Sequence, residues 1–187
     1  MSPINHALTG WLLANTASHI SMRERAYITL AAVIADIDGL GVVAELLTAH
    51  TENPLLWWST YHHVLAHNLL FGSILALLTL WITRQKLIAL LVFCAFHSHL
   101  LEDLISGRHQ DQLWGISYLY PFSKQQWLWH GQWELNAWPN MLFAVFCISL
   151  TLYLAWKRAY SPLALFSKKM DRHFIDALHQ RFGVPKA

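Results

Sequence analysis

Apolar residues along this chain fall in long Leu- and Ala-rich runs, not in the strict alternation that marks a half-buried strand. Leu135 to Trp156 holds no Lys, Arg, Asp or Glu and ends on Trp156-Lys157-Arg158. Val64 to Thr83 and Leu87 to Leu101 flank the short basic turn Arg84-Gln85-Lys86, which predicts a tight helical hairpin. Ala26 to Ala35 is apolar until it meets Asp36-Ile37-Asp38-Gly39, and residues 6 to 21 predict a more polar helix. Beyond Ser161-Pro162 the pattern changes. Phe166, Met170, Phe174, Leu178 and Phe182 recur every fourth residue, with Lys168, Lys169, Arg172 and Arg181 between them. That spacing predicts a basic amphipathic helix suited to an anionic membrane surface. The reading is all-α: a multipass membrane helical bundle over residues 1–160 and a tail helix over 161–187.

Charge placement supports a membrane setting. Charged residues make up 13% of the chain, about half the ~25% of an ordinary soluble domain, and hydrophobic residues 55%. A spanning helix needs about 20 predominantly apolar residues, and cytoplasmic loops collect Lys and Arg. Placing Arg23 and Arg25, Arg84 and Lys86, and the tail from Lys157 inside gives five passes. The N-terminus and residues 50–63 and 107–134 then lie outside. The first 25 residues lack the basic start of a secretory signal. Cys94 and Cys147 sit inside apolar runs and read as small core residues, not as a disulfide or metal knuckle. No nucleotide-binding glycine loop or Ser-nucleophile motif is present, and nucleic acid is not an expected partner.

Twelve histidines are the oddest feature of the composition. On the five-pass arrangement His6, Asp36, Asp38, His62, His63, His67, His97, His99 and Asp103 all fall at the outer ends of the helices. The inner ends carry Arg and Lys. His99 and Asp103 are four apart and share a helical face, as would His63 and His67. An HxxxD pair offers an imidazole and a carboxylate to one point, which suits zinc and other divalent metals. Carboxylates inside apolar helices are costly unless paired, and a metal would neutralise them.

The segments "NHALTG", "VIADIDG", "HHVLAHNLLFG", "HSHLLEDLISG" and "SYLYPFS" follow one another over residues 5–123. In that order they resemble the motifs of the YdjM-like family of bacterial inner-membrane metal-dependent hydrolases. Ala35 stands where that family has Pro, His63-Val64 where it has Arg-Gly, and Ala66 and Asn68 where it has Thr and Ser. The resemblance places His6, Asp36, Asp38, His62, His67, His99 and Asp103 on metal-binding positions, with His62 and His63 as rival ligands. The family is in turn similar to the zinc-dependent phospholipase C superfamily, an all-helical fold holding up to three zinc ions. By that second likeness His109, six residues after Asp103, and the pair His130 and Glu134 of an HxxxE are further ligand candidates.

The function expected from this is a metal-dependent hydrolase at the outer face of the bacterial inner membrane. One to three divalent ions, zinc by preference, would acidify water and polarise a phosphoester of a lipid or lipid-linked substrate. Asp36 and Asp38 are the candidate general bases. Membrane lipids are the expected surroundings. The alternatives from other classes are a divalent-metal transporter, whose ligands should lie near the midplane with a polar path to both faces, and a non-catalytic membrane scaffold, in which the histidines would not converge.

Overall fold

A computed structural model describes residues 1–108 and 112–185. Eight α-helices are present among them: α1 Pro3–Ala14, α2 Met22–Ala31, α3 Gly41–Thr48, α4 Trp57–Tyr61, α5 Leu69–Thr83, α6 Lys86–Ser106, α7 Trp138–Arg158 and α8 Lys168–Phe182. Two 3-10 segments, Ile34–Leu40 and Pro162–Leu165, join them. No strand occurs among the described residues, only the isolated bridges Arg108–Glu134 and Ile116–Trp127. The chain is all-helical, as its apolar pattern predicts.

Helix α6 is the axis of the fold. Its residues Leu91, Val92 and Ala95 pack with Ala14 of α1 and Ile28, Ala31 and Ala32 from α2 and the residue after it. Further along, Phe96 and Leu100 pack with Ala35 and Ile116. These two apolar clusters form a floor beneath the polar end of α6. Helix α5 runs back along α6 through the turn at Arg84, whose left-handed φ of 57° ends α5 and lets Lys86 start the next helix.

Two of the five passes expected from the sequence are full-length helices. At 21 residues each, α6 and α7 are about 31 Å long, which matches a hydrocarbon core of about 30 Å. Both are apolar enough to cross a membrane, and α5 is a shorter apolar helix. By contrast α1 and α2 have 12 and 10 residues, roughly half a span. They stop early because polar side chains close their ends. Asn15 turns back, donating from Nδ2 to the Trp11 carbonyl at 2.8 Å. Ser21 and Glu24 then form a reciprocal capping box that starts α2. Arg25, which the charge pattern assigns to an inner loop, is instead buried as the clip of this hairpin. It donates to the carbonyls of Ala14 (2.7 Å) and Ala17 (3.2 Å) and to Asn15 Oδ1 (3.2 Å). Arg158 at the end of α7 donates to the Asn15 backbone carbonyl at 2.8 Å and to the same Asn15 Oδ1 at 3.1 Å, tying α7 to the α1–α2 turn. Gly10 permits the close crossing of α1 and α2, since a Cβ there would sit 2.6 Å from Ala32 Cβ.

The tail is docked. Asp171 of α8 accepts from the backbone N–H and hydroxyl of Ser161 at 2.8 and 2.6 Å. Trp156 Nε1 donates to the Gly183 carbonyl at 2.6 Å. Ile175 is the apolar residue of α8 that is buried, while Phe166, Met170 and Phe182 of the expected stripe remain exposed.

Candidate metal centre

The polar end of α6 meets two segments that are not α-helical. The 3-10 segment Ile34–Leu40 delivers Asp36 and Asp38, and the turns at residues 62–68 deliver His62, His63 and His67. His63 has a positive φ of 65°, a left-handed conformation uncommon for a residue with a side chain. The expectation that His63 and His67 share a helical face therefore fails: the backbone reverses at His63, and helix α5 begins only after Asn68. Asn68 caps α5 by accepting from the Phe71 N–H at 2.9 Å and holds the preceding turn by donating to the carbonyls of Val64 and Leu65.

His99 and Asp103 do share a face of α6, with Nε2 and Oδ2 3.0 Å apart. Opposite them stands His67, its Nε2 3.1 Å from His99 Nε2 and 3.6 Å from Asp103 Oδ2. Asp36 Oδ1 completes the group at 3.6 Å from His99 Nε2 and 3.9 Å from His67 Nε2. One atom from each of these four residues lies within 4.8 Å of all the others. Tetrahedral ligands on bonds of about 2.0 Å are about 3.3 Å apart, so the spacing suits a four-coordinate divalent ion.

Proton placement points the same way. His99 Nδ1 faces the Ala32 carbonyl at 2.9 Å, and a carbonyl can only accept, so Nδ1 carries the hydrogen. His67 Nδ1 faces Asp38 Oδ2 at 3.0 Å and donates to it. In their neutral forms both Nε2 atoms present lone pairs to one small volume shared with two carboxylates. That volume could hold a cation. Asp36 Oδ2 is buried without a hydrogen-bond partner, an orphan acceptor of the kind an ion would satisfy.

Asp38 stands behind this group, not in it. Its Oδ1 is 2.8 Å from His62 Nδ1, and its Oδ2 accepts from His67 Nδ1 and from the Ala66 N–H at 3.1 Å. Burial opposes its charge, but the hydrogen bonds from His62 and His67 outweigh that and hold its carboxyl well below the usual range. Both oxygens of Asp38 are occupied and 1% of its side chain is exposed, against 29% for Asp36, which leaves Asp36 the more accessible of the two candidate bases. Asp38 is a positioning residue that fixes the tautomer of His67. A second grouping of possible ligand atoms, Asp38, His62 and His67, overlaps the first at His67.

His6 also takes a supporting place. Its Nε2 is 3.1 Å from Asp103 Oδ1, its Nδ1 is 2.7 Å from Glu102 Oε2, and its ring lies 3.9 Å from that of His99. The Met1 amine contacts the same Asp103 Oδ1. Glu102 was not singled out as a site residue from the sequence; the approach of His6 from α1 across to α6 is a tertiary contact that no local spacing reveals. His63 Nε2 reaches to 3.8 Å of Asp103 Oδ2, at the edge of the group. Burial and then the neighbouring His67 push the His63 pKa down to about 2, so its imidazole is neutral. His97 points elsewhere, toward the Phe93 carbonyl and the Tyr118 hydroxyl. His130 and Glu134 are exposed and belong to neither group among the described residues, and His109 lies outside the described residues.

A cleft of about 290 Å³ opens onto the centre, lined by Asp36, Asp103, His62, His63, Trp58 and Trp114 among others. A neighbouring cleft of about 340 Å³ shares His62, His63 and the two tryptophans. Trp114 is held in place by Gln132, which accepts from its N–H at 2.9 Å and donates to its carbonyl at 2.6 Å. The lining is thus carboxylate and imidazole at the inner end and indole at the mouth.

No curated protein and no solved structure matches the chain. The family described as YdjM inner membrane protein matches residues 1–169, nearly the whole of the sequence, and the chain belongs to that family.

Proposed function

We propose that this protein is a membrane-bound, metal-dependent hydrolase whose centre lies at the outer face of the inner membrane. The observation that carries the reading is the convergence of His67 Nε2, His99 Nε2, Asp36 Oδ1 and Asp103 Oδ2 at near-tetrahedral spacing beside an open cleft. Those four residues would hold a divalent ion, with zinc the best match to two nitrogens and two oxygens. When bound, such an ion supplies Lewis-acid chemistry, acidifying water and polarising the bond to be cleaved.

The chain's own groups supply the rest. Asp38 and the Ala32 carbonyl hold the two imidazoles in the tautomer that faces the centre. His6 holds Asp103 from behind. Asp36 lines the cleft, so it is the carboxylate placed to take a proton. His63, neutral at the cleft wall, offers one N–H and one lone pair to a bound group. Tryptophans at the mouth and the long apolar helices α5, α6 and α7 favour an amphiphile, and we assign the substrate to phosphoesters of lipids or lipid-linked molecules. A transporter is disfavoured because the next layer of α6 is the apolar cluster of Leu91, Val92 and Ala95, not a polar path.

The test uses detergent-purified protein, metal analysis, and turnover of a phosphodiester, a phosphomonoester and a carboxylester. Metal and phosphoester turnover should be lost together on chelation and in His99→Ala and Asp103→Asn, and both should persist in the exposed control His19→Ala. A fully metal-loaded protein that turns over none of these esters would refute the hydrolase.

A further inference from the structure

Between the acidic 3-10 segment and the histidine turns, residues 41–61 form a helical hairpin of α3 and α4 that the function proposed above does not use. No residue of α3 is buried, and Leu46 and Leu47 are 70% and 79% exposed. Leu40, Val43, Leu56 and Trp57 are exposed with them.

Hydrogen bonds join the two arms of the hairpin. Glu45, the acid on α3, accepts from the Ser59 N–H at 3.1 Å and from its hydroxyl at 2.7 Å. Thr48 Oγ1 accepts from the Leu55 N–H at 2.8 Å. Gly41 lets the two arms touch, because a Cβ there would stand 2.7 Å from Trp58 N. The arm is therefore braced by its own hydrogen bonds, with an exposed apolar face of Val43, Leu46 and Leu47 on α3 and an exposed polar tip at His50, Thr51, Glu52 and Asn53. Residues 39–61 contain no Lys or Arg at all.

Depth identifies what covers that surface. If α6 crosses the membrane, Ser106 marks one boundary. Asp103 and His99 precede it by three and seven residues, so they lie about 5 and 10 Å inside the apolar layer. Asp36 reaches the same centre, and Asp38 is bonded to the His67 that faces it. The base of the hairpin is thereby pinned at that depth. An arm leaving from there with an outward face of Leu and Val meets lipid tails before anything else.

We propose that the apolar α3 face of this hairpin is embedded in the acyl-chain region of the leaflet at the metal-centre end. Trp58, on the hairpin, lines the cleft to the centre, so this arrangement sets the cleft mouth against lipid tails. The inference is independent of whether the centre hydrolyses anything.

A nitroxide at Leu47→Cys or Val43→Cys, in a Cys94→Ser background and phosphatidylcholine–phosphatidylglycerol vesicles, tests it through collisions with oxygen and with a water-soluble nickel chelate. Oxygen collisions should exceed nickel collisions, as at the exposed α7 position Phe146→Cys and opposite to the loop position Gln125→Cys. Nickel access matching Gln125→Cys would put the arm in water and overturn the proposal. Low access to both reagents would mean a protein covers it, a second copy included, and would overturn it equally. Should the cysteine variants not fold, wild-type protein reconstituted with a phosphatidylcholine carrying a photoreactive acyl chain gives the same answer. Label should appear on peptides covering residues 40–57, and its absence there beside labelling of α7 would refute the placement.

Discussion

Replacing Asp38 distinguishes a residue that holds the ion from one that holds its ligand. The carboxylate has three partners: His62 Nδ1 on Oδ1, and His67 Nδ1 with the Ala66 N–H on Oδ2. In Asp38→Asn the amide oxygen can keep the pair of donors at Ala66 and His67 while the new NH2 faces His62. His62 borders the cleft, so it can switch tautomer and accept that hydrogen. The His67 tautomer survives and only the charge behind it is lost. The expected effect is the low end of the range for outer-shell partners, about tenfold in metal affinity or about 1.4 kcal/mol. Asp38→Ala is harsher. It strands two buried donors, at about 1–3 kcal/mol each in stability, and frees His67 to rotate. Affinity should fall about 100-fold, or about 2.7 kcal/mol. His99→Ala, which would delete a proposed ligand atom, and Asp103→Asn, which would remove the charge of a proposed ligand, should exceed both. Competition with a chromogenic chelator at fixed pH, paired with elemental analysis for stoichiometry, reads the series directly. The refuting result is Asp38→Asn equal to His99→Ala, with His62→Ala equally impaired. That outcome would move the ion to the Asp38, His62 and His67 group.

Metal affinity should rise with pH, because an ion must displace the proton of His67: burial opposes that charge, but hydrogen bonds to Asp103 and Asp38 outweigh it and push the pKa up to about 9. Asp38, held ionised, and His63, held neutral, release none, so the slope of log affinity against pH should approach one below about pH 9; a slope of zero would refute ligation by His67. Arg25→Met should lower stability by about 2–4 kcal/mol, since buried carbonyl partners lose a charged donor. A thermal melt in detergent checks this, and metal affinity should be unchanged. A reporter fused after the C-terminus should be cytoplasmic and a tag within residues 107–134 accessible from outside, from the Lys and Arg asymmetry; a loop found inside would invert the placement of the centre.

The parts of the fold that the sequence announces are those decided within one or two helical turns. The α5–α6 hairpin shows as two apolar runs around Arg84-Gln85-Lys86, and α7 as an uncharged run with basic residues at its end. Helix α6 runs further than its apolar stretch, to Ser106 and not Leu101, because Glu102 and Asp103 face His6 and the centre instead of ending the helix. What the pattern hides is α3. "GLGVVAELLTAH" opens on a glycine directly after two acids, reads as a helix end opening to water, and instead forms a helix that Gly41 lets fold back on Trp57 and Trp58.

The centre divides along the same line. His99 and Asp103 are legible because an i, i+4 pair on a regular helix must share a face, and they do. Asp36 and His67 are legible as residue types but not as roles, since neither sits on a regular α-helix. The rivalry of His62 and His63 has a cause of this kind. Helical spacing favours His63 only if the helix continues through it, and the positive φ at His63 breaks that register. The reversal sends His62 to Asp38 and leaves His63 at the cleft wall, so neither joins the four-residue group. Asp36 and Asp38 show the complementary case. Two residues apart, they would share one face of a strand, or sit about 200° apart, nearly opposite, around an α-helix. The 3-10 segment instead gives Asp36 to the centre and Asp38 to the back of His67, so adjacent acids of one motif act in successive layers around the same histidine.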